Sequence, residues 1–166
     1  MIWGASNGSG RRIGQDKLTS MSTTFTATVA HVNQTTSRAT VRSHAALVDR
    51  GLAKGGLDLG PAGGEYMLVS LGGCFMSHLL AAIRARDAAM TNVSVHVTGT
   101  MDGTPERFTA FTMDVSATCA DPDLARKLIV MAARACQVSN TLRRAAPMAI
   151  TYAGAPVEVS EGAAVV

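Results

Sequence analysis

Aromatic residues make up only 4% of this 166-residue chain. A protein that stacks bases on aromatic platforms needs more, which argues against single-stranded nucleic-acid binding. Charge of one sign is also scarce. Fifteen Lys and Arg against twelve Asp and Glu leave a net charge of +3, scattered rather than gathered into a run, so it says little about partners. No stretch is expected to approach the ~20 apolar residues that span a bilayer, so no membrane role is expected. The N-terminus lacks the continuous apolar segment of a signal peptide. Three cysteines without an export signal do not make a secreted disulfide scaffold. The expected compartment is a reducing cytoplasm, where paired thiols are more often catalytic, redox-active or metal-binding than structural. There is no GxGxxG after a strand, no P-loop and no GxSxG elbow, so no nucleotide cofactor is indicated.

What is present is a hydrophobic fraction of 47%, enough for one core, built from Ala, Val, Leu, Ile and Met. Residues 1–20 differ from the rest. Gly4-Ala5-Ser6-Asn7-Gly8-Ser9-Gly10 has linker composition, and the segment is expected to be a disordered leader or added sequence. Residues 21–166 are read as a single domain without internal repeats.

Thr24 to Ala30 reads as a strand, Asn33 to Thr36 as a turn, and Ala39 to His44 as a second strand closing a hairpin. A glycine-rich loop follows from Gly51 to Gly64; loops this long are usually functional or mobile. From Glu65 the period changes. Met67, Leu68, Leu71, Phe75, Leu79, Ala82 and Ile83 recur at helical spacing, predicting a helix to about Ala89. It is apolar nearly all round, which suggests a central helix with sheet on one side and a partner subunit on the other. Val93 to Thr100 and Phe108 to Thr118 alternate as strands around an Asp102-Gly103-Thr104-Pro105 turn. Asp121 and Pro122 open a second helix as N-cap and first-turn proline. Val138 to Arg144 reads as a short helical extension and Pro147 to Tyr152 as a last strand. Strands in hairpins with two core helices predict an α+β fold with mainly antiparallel sheet.

Cys74 and Cys136 end up on two separate core helices, where they can meet as a structural accident, a metal site or a redox couple. Cys74 is flanked by Gly72 and Gly73. Glycine costs about 1 kcal/mol inside a helix, so the pair suggests a close approach beside the thiol. Gln137, Ser139, Asn140 and Thr141 put polar groups near Cys136. Cys119 ends a strand and is read as a bystander. Glu65 opens the first helix. Its plain role is to complement the dipole, worth about 0.3–1 kcal/mol; its functional role would be to anchor an arginine that activates a thiolate. Arg50 in the loop and Arg42 on the second strand are the candidates, with Arg50 preferred because a loop can fold over a helix N-terminus. His78 lies one turn after Cys74, so a metal site with Cys136 enters as a rival, though tight metal-ligand spacings are absent.

Gly60-Pro61, the run from Glu65 to Cys74, and Ala135-Cys136-Gln137-Val138-Ser139-Asn140-Thr141-Leu142 resemble the OsmC/Ohr family of osmotically induced and organic hydroperoxide resistance proteins. The likeness spans Thr24 to about Tyr152 and points to the broader OsmC-like branch. It implies an intertwined homodimer that reduces organic hydroperoxides without metal, haem or flavin. In that likeness Cys74 takes the peroxidatic position, Cys136 the resolving one, and Glu65 holds the catalytic arginine. An external dithiol, from a lipoyl or thioredoxin-like protein, would restore the thiols. Gly64 and Gln137 stand where many relatives carry proline. A binding module on the same fold, with a hydrophobic pocket and idle thiols, is the main rival.

Overall fold

The structure is a computed structural model that describes residues 22–145 and 147–159. The expected leader, residues 1–20, lies outside the described residues. Among the described residues two sheets are present. β1 (Thr28–His31), β2 (Ser37–Val41) and β3 (His44–Val48) form an antiparallel sheet in that order. β4 (Met90–Asp102), β5 (Arg107–Cys119), β6 (Met148–Tyr152) and β7 (Ala155–Pro156) form the second. The helices are α1 (Gly63–Ala85), α2 (Pro122–Ala135) and α3 (Gln137–Leu142). The class is α+β, as expected.

The first hairpin is a three-stranded meander. Val41 pairs with His44, so Arg42 and Ser43 alone make the turn, with Arg42 at φ 55°. The unbroken alternation of 39–44, with no Gly, Asn or Pro to mark the reversal, hides this turn in the sequence. In the second sheet β4 and β5 are long antiparallel partners, but β5 pairs β6 in parallel, Phe111 beside Met148. The α2–α3 segment supplies the crossover that a parallel pair requires.

α1 starts two residues earlier than the period suggested and ends at Ala85 rather than Ala89, where Asp87 turns left-handed at φ 46°. It corrects the expectation about apolar runs: its 23 residues are long and apolar enough to cross a membrane. The core helix of a globular domain passes the same test, and Leu71, Phe75, Leu79 and Ala82 lie in this core. They meet Phe111, Met113 and Val115, which alternate inward along β5, together with Leu128 and Ile129 of α2. Asp121 caps α2, accepting the N–H groups of Asp123 and Leu124 at 2.9 and 3.0 Å.

The loop into α1 is stapled by Asp49, which sequence reading missed. Its carboxylate accepts the Thr36 hydroxyl at 3.0 Å and the N–H groups of Arg50 and Leu59 at 2.8 and 3.2 Å. Gly56 must be glycine, because a Cβ there would meet the Arg50 carbonyl oxygen at 1.8 Å. Tyr66 donates to the Leu47 carbonyl at 2.7 Å, tying the first turn of α1 to β3.

Burial alone would raise the Asp49 pKa, but the Arg50 and Leu59 amides and the Thr36 hydroxyl outweigh it and hold it below the usual 3.8. The Thr35 hydroxyl also favours the charged form, although it lies outside hydrogen-bonding geometry. A lowered acid pKa adds stability above the unfolded value, lost as pH falls through the folded one. Denaturant titrations below pH 4 should therefore show stability falling, with a shallower fall in Asp49→Asn. Phe75 is fully buried, and Phe75→Ala should cost about 3–5 kcal/mol in urea unfolding.

Candidate functional site

Cys74 sits in the middle of α1, partly buried, directly before Phe75. Cys136 is fully buried at the joint between α2 and α3. Its extended backbone, φ −72° and ψ 109°, ends α2 and makes it the N-cap of α3. Its N–H still reaches the Ala132 carbonyl at 3.0 Å, and its Sγ accepts the Ser139 N–H at 3.4 Å. α1 packs against both α2 and α3, and this brings the two thiols together. Burial raises the Cys136 pKa above its ordinary value; the Ser139 hydroxyl and amide oppose this, and the hydrogen bond and charge of Cys74 push it further up.

Gln137, which follows the joint, completes the cluster. The Cys74 thiol donates to Gln137 Oε1 at 3.4 Å, and His78 Nε2 lies 3.1 Å from the same oxygen. The i, i+4 spacing of Cys74 and His78 announced a shared helix face; the third member, beside Cys136, carried no signal beyond its place in the sequence. Among the described residues no group of three His, Cys, Asp or Glu side chains could hold a metal ion.

The carboxylate of Glu65 accepts the Ala62 N–H at 2.7 Å, sealing the start of α1. Glu65 is not paired with Arg42 or Arg50 within the chain. Arg50 lines, with Lys54, Ala62 and Gly63, a cavity of about 550 Å³ beside the start of α1. Nine residues separate Glu65 from Cys74, about 13 Å along the axis at 1.5 Å per residue, so this cavity lies well away from the sulfur. Arg42 is exposed at the β2–β3 turn. Cys119 lies outside the cluster, donating to the Asp121 carbonyl at 3.2 Å. The Gly-Gly pair divides in role: a Cβ on Gly72 would meet Val97 Cγ2 at 2.9 Å, whereas Gly73 has nothing within 4 Å.

The sequence profile of the family described as OsmC-like protein matches residues 55–151, more than half of the chain. No curated protein gives a significant match. Among solved structures, an OsmC-like protein from Mycoplasma pneumoniae is 14% identical with a TM-score of 0.68, covering 80% of this chain and 99% of the other. An organic hydroperoxide resistance protein OsmC from Legionella pneumophila is 16% identical with a TM-score of 0.63, covering 79% and 98%. An organic hydroperoxide resistance protein from Elizabethkingia anophelis is 17% identical with a TM-score of 0.63, covering 80% and 98%. At these identities the likeness shows the fold.

The Ser139 hydroxyl is fully buried and has no hydrogen-bond partner of its own, yet it lies close enough to favour the Cys136 thiolate. Ser139→Ala should push the Cys136 thiol still higher, read as thiolate absorbance against pH in a Cys74→Ser, Cys119→Ser background. Global stability should stay within about 1 kcal/mol, because removing an unpartnered polar group costs little.

Proposed function

The chain belongs to the OsmC-like protein family, and from that premise we propose that it is a thiol-dependent peroxidase reducing organic hydroperoxides to alcohols. The observation that carries this reading is the meeting of a partly exposed thiol with a fully buried one. A peroxide arriving from solvent reaches Cys74 first, while Cys136 is shielded until its partner is oxidised. The Cys74 thiolate attacks the distal peroxide oxygen; the O–O bond breaks, an S–O bond forms, and the alkoxide leaves and is protonated to the alcohol. The sulfur of Cys136 then attacks the sulfenic sulfur. An S–S bond forms, and the departing hydroxide takes up the Cys136 proton as water. An external dithiol, carried by a lipoyl or thioredoxin-like protein in a cytoplasmic setting, restores both thiols by exchange. None of these steps calls for a metal, haem or flavin.

The working unit in this reading is a homodimer. All four residues of β1 are exposed, with Val29 63% accessible. A three-stranded sheet needs a covered apolar face to be stable. α1 turns an apolar face outward as well, through Val69 and Leu80, and a second copy of the chain would cover both. Arg50 would then serve a sulfur only in the assembled dimer, since within one chain it stands beside Ala62 and Gly63. Glu65 would hold it there.

Turnover of an organic hydroperoxide with a dithiol reductant tests the reading. Cys74→Ser should abolish turnover, and Cys136→Ser should allow one oxidation event per chain and then stop. Full activity in Cys74→Ser would remove the proposal. Slow stoichiometric thiol loss without turnover in the unmodified chain would favour the binding-module rival.

A further inference from the structure

Gln137 touches the sulfur that reacts in this reading and has no role in the peroxidase chemistry described above. It is exposed at the first position of α3, so nothing in the core requires a glutamine there. Its side chain nevertheless reaches across to α1 and bridges Cys74 and His78 through one oxygen, at 3.4 and 3.1 Å. With that oxygen facing both groups, the Cys74 S–H donates, and His78 must carry its proton on Nε2 in order to donate as well. This suits a protonated thiol. A thiolate facing the same oxygen would be repelled, yet a thiolate is the form that attacks.

An amide offers a way out, because it carries an acceptor and donors on one planar group. Rotation by half a turn about its last torsion exchanges the oxygen for the NH₂ group and leaves the heavy atoms where they stand. One N–H then points at the Cys74 sulfur and the other at His78 Nε2. We propose that Gln137 is a reversible amide switch for Cys74, its oxygen accepting from the thiol and its NH₂ group donating to the thiolate, with His78 changing tautomer to match. The proton lost by Cys74 goes to water. The His78 proton leaves Nε2 and one returns at Nδ1 through solvent, so His78 stays neutral throughout. The titratable groups that bear on the switch within the chain are His78, from α1 itself, and Cys136, from the joint opposite. No arginine is needed for this, which matters because neither Arg42 nor Arg50 pairs with the site inside one chain. Gln137 acts here as a positioning residue, and the proposal rests on Cys74 being the reacting sulfur.

The test reads that sulfur rather than peroxide turnover, so a chain without peroxidase activity would still decide it. Cys74 alkylation by iodoacetamide at neutral pH is followed by peptide mapping, which separates it from Cys119 and Cys136. Gln137→Glu keeps the acceptor, removes the donor and sets a carboxylate against the thiolate, so it should slow Cys74 alkylation about tenfold or more, whereas the uncharged Gln137→Leu isolates the lost donor. The added carboxylate sits in the first turn of α3, where the helix dipole favours it, so a slower reaction cannot be ascribed to a weakened helix. Gln137→Leu should slow the reaction several-fold. His78→Phe should act in the same direction in the unmodified chain and have no further effect in the Gln137→Leu background, because it works through the amide. Wild-type rates in both Gln137 variants would overturn the switch, as would a His78→Phe effect that persists undiminished once the amide is gone.

Discussion

The site depends on how α1 is turned about its own axis. Leu71, Phe75, Leu79 and Ala82 must face β5 and α2 to close the core, and that requirement fixes the azimuth of every other residue on the helix. At 100° per residue, Cys74 and His78 each precede a core residue by one step and fall together on the rim of the buried stripe. They are neither solvent-facing nor core-filling, which is where a sulfur must sit to meet both a substrate and a second sulfur. Gly72 lies on the opposite edge of the stripe, where the absence of its Cβ lets Val97 of β4 lie against the helix.

The second sulfur continues the buried stripe of α2: residue 136 follows Ala132 and Ala133 at i+4 and i+3, on the face of Ala125, Leu128 and Ile129. The extended backbone at Cys136 stops α2 and restarts the chain as α3, using the sulfur as the cap. The thiol thus does structural work at rest, accepting the Ser139 amide. The two thiols are made unequal by environment: one is partly open and held by an exposed amide, and the other is buried and raised. In the proposed peroxidase that inequality would assign an order of reaction to two chemically identical groups.

Much of this was legible in sequence because it is written in period and capping. The α1 stripe, the Asp121-Pro122 start, the β4–β5 hairpin and both cysteine helices all follow from local rules. The missed features are non-local or unmarked. The β2–β3 turn has no turn residue to announce it. The parallel β5–β6 pairing is decided by where the α2–α3 crossover lands. Asp49 looks like any loop aspartate until Thr36 and Leu59 arrive around it. Gln137 reads as a departure from a family pattern, and only the packing of α3 on α1 turns it into a ligand of the sulfur.

The β1–β3 sheet exposes apolar residues that no other described residue covers, and Arg50 stands on the segment leading from that sheet to α1. Asp49 binds this segment at both ends, to Thr36 at the β1–β2 turn and to Leu59 near the helix start. The guanidinium is therefore carried by the same rigid staple as the sheet, and whatever surface covers the sheet also sets the place of the charge. In a dimer built on these faces, assembly and activation would be one event: burying the apolar strands would deliver the cation, and a lone chain would keep its sulfur served only by the amide of Gln137. Such a chain would couple its redox chemistry to its concentration, because the exposed strands and Arg50 are joined by one buried carboxylate.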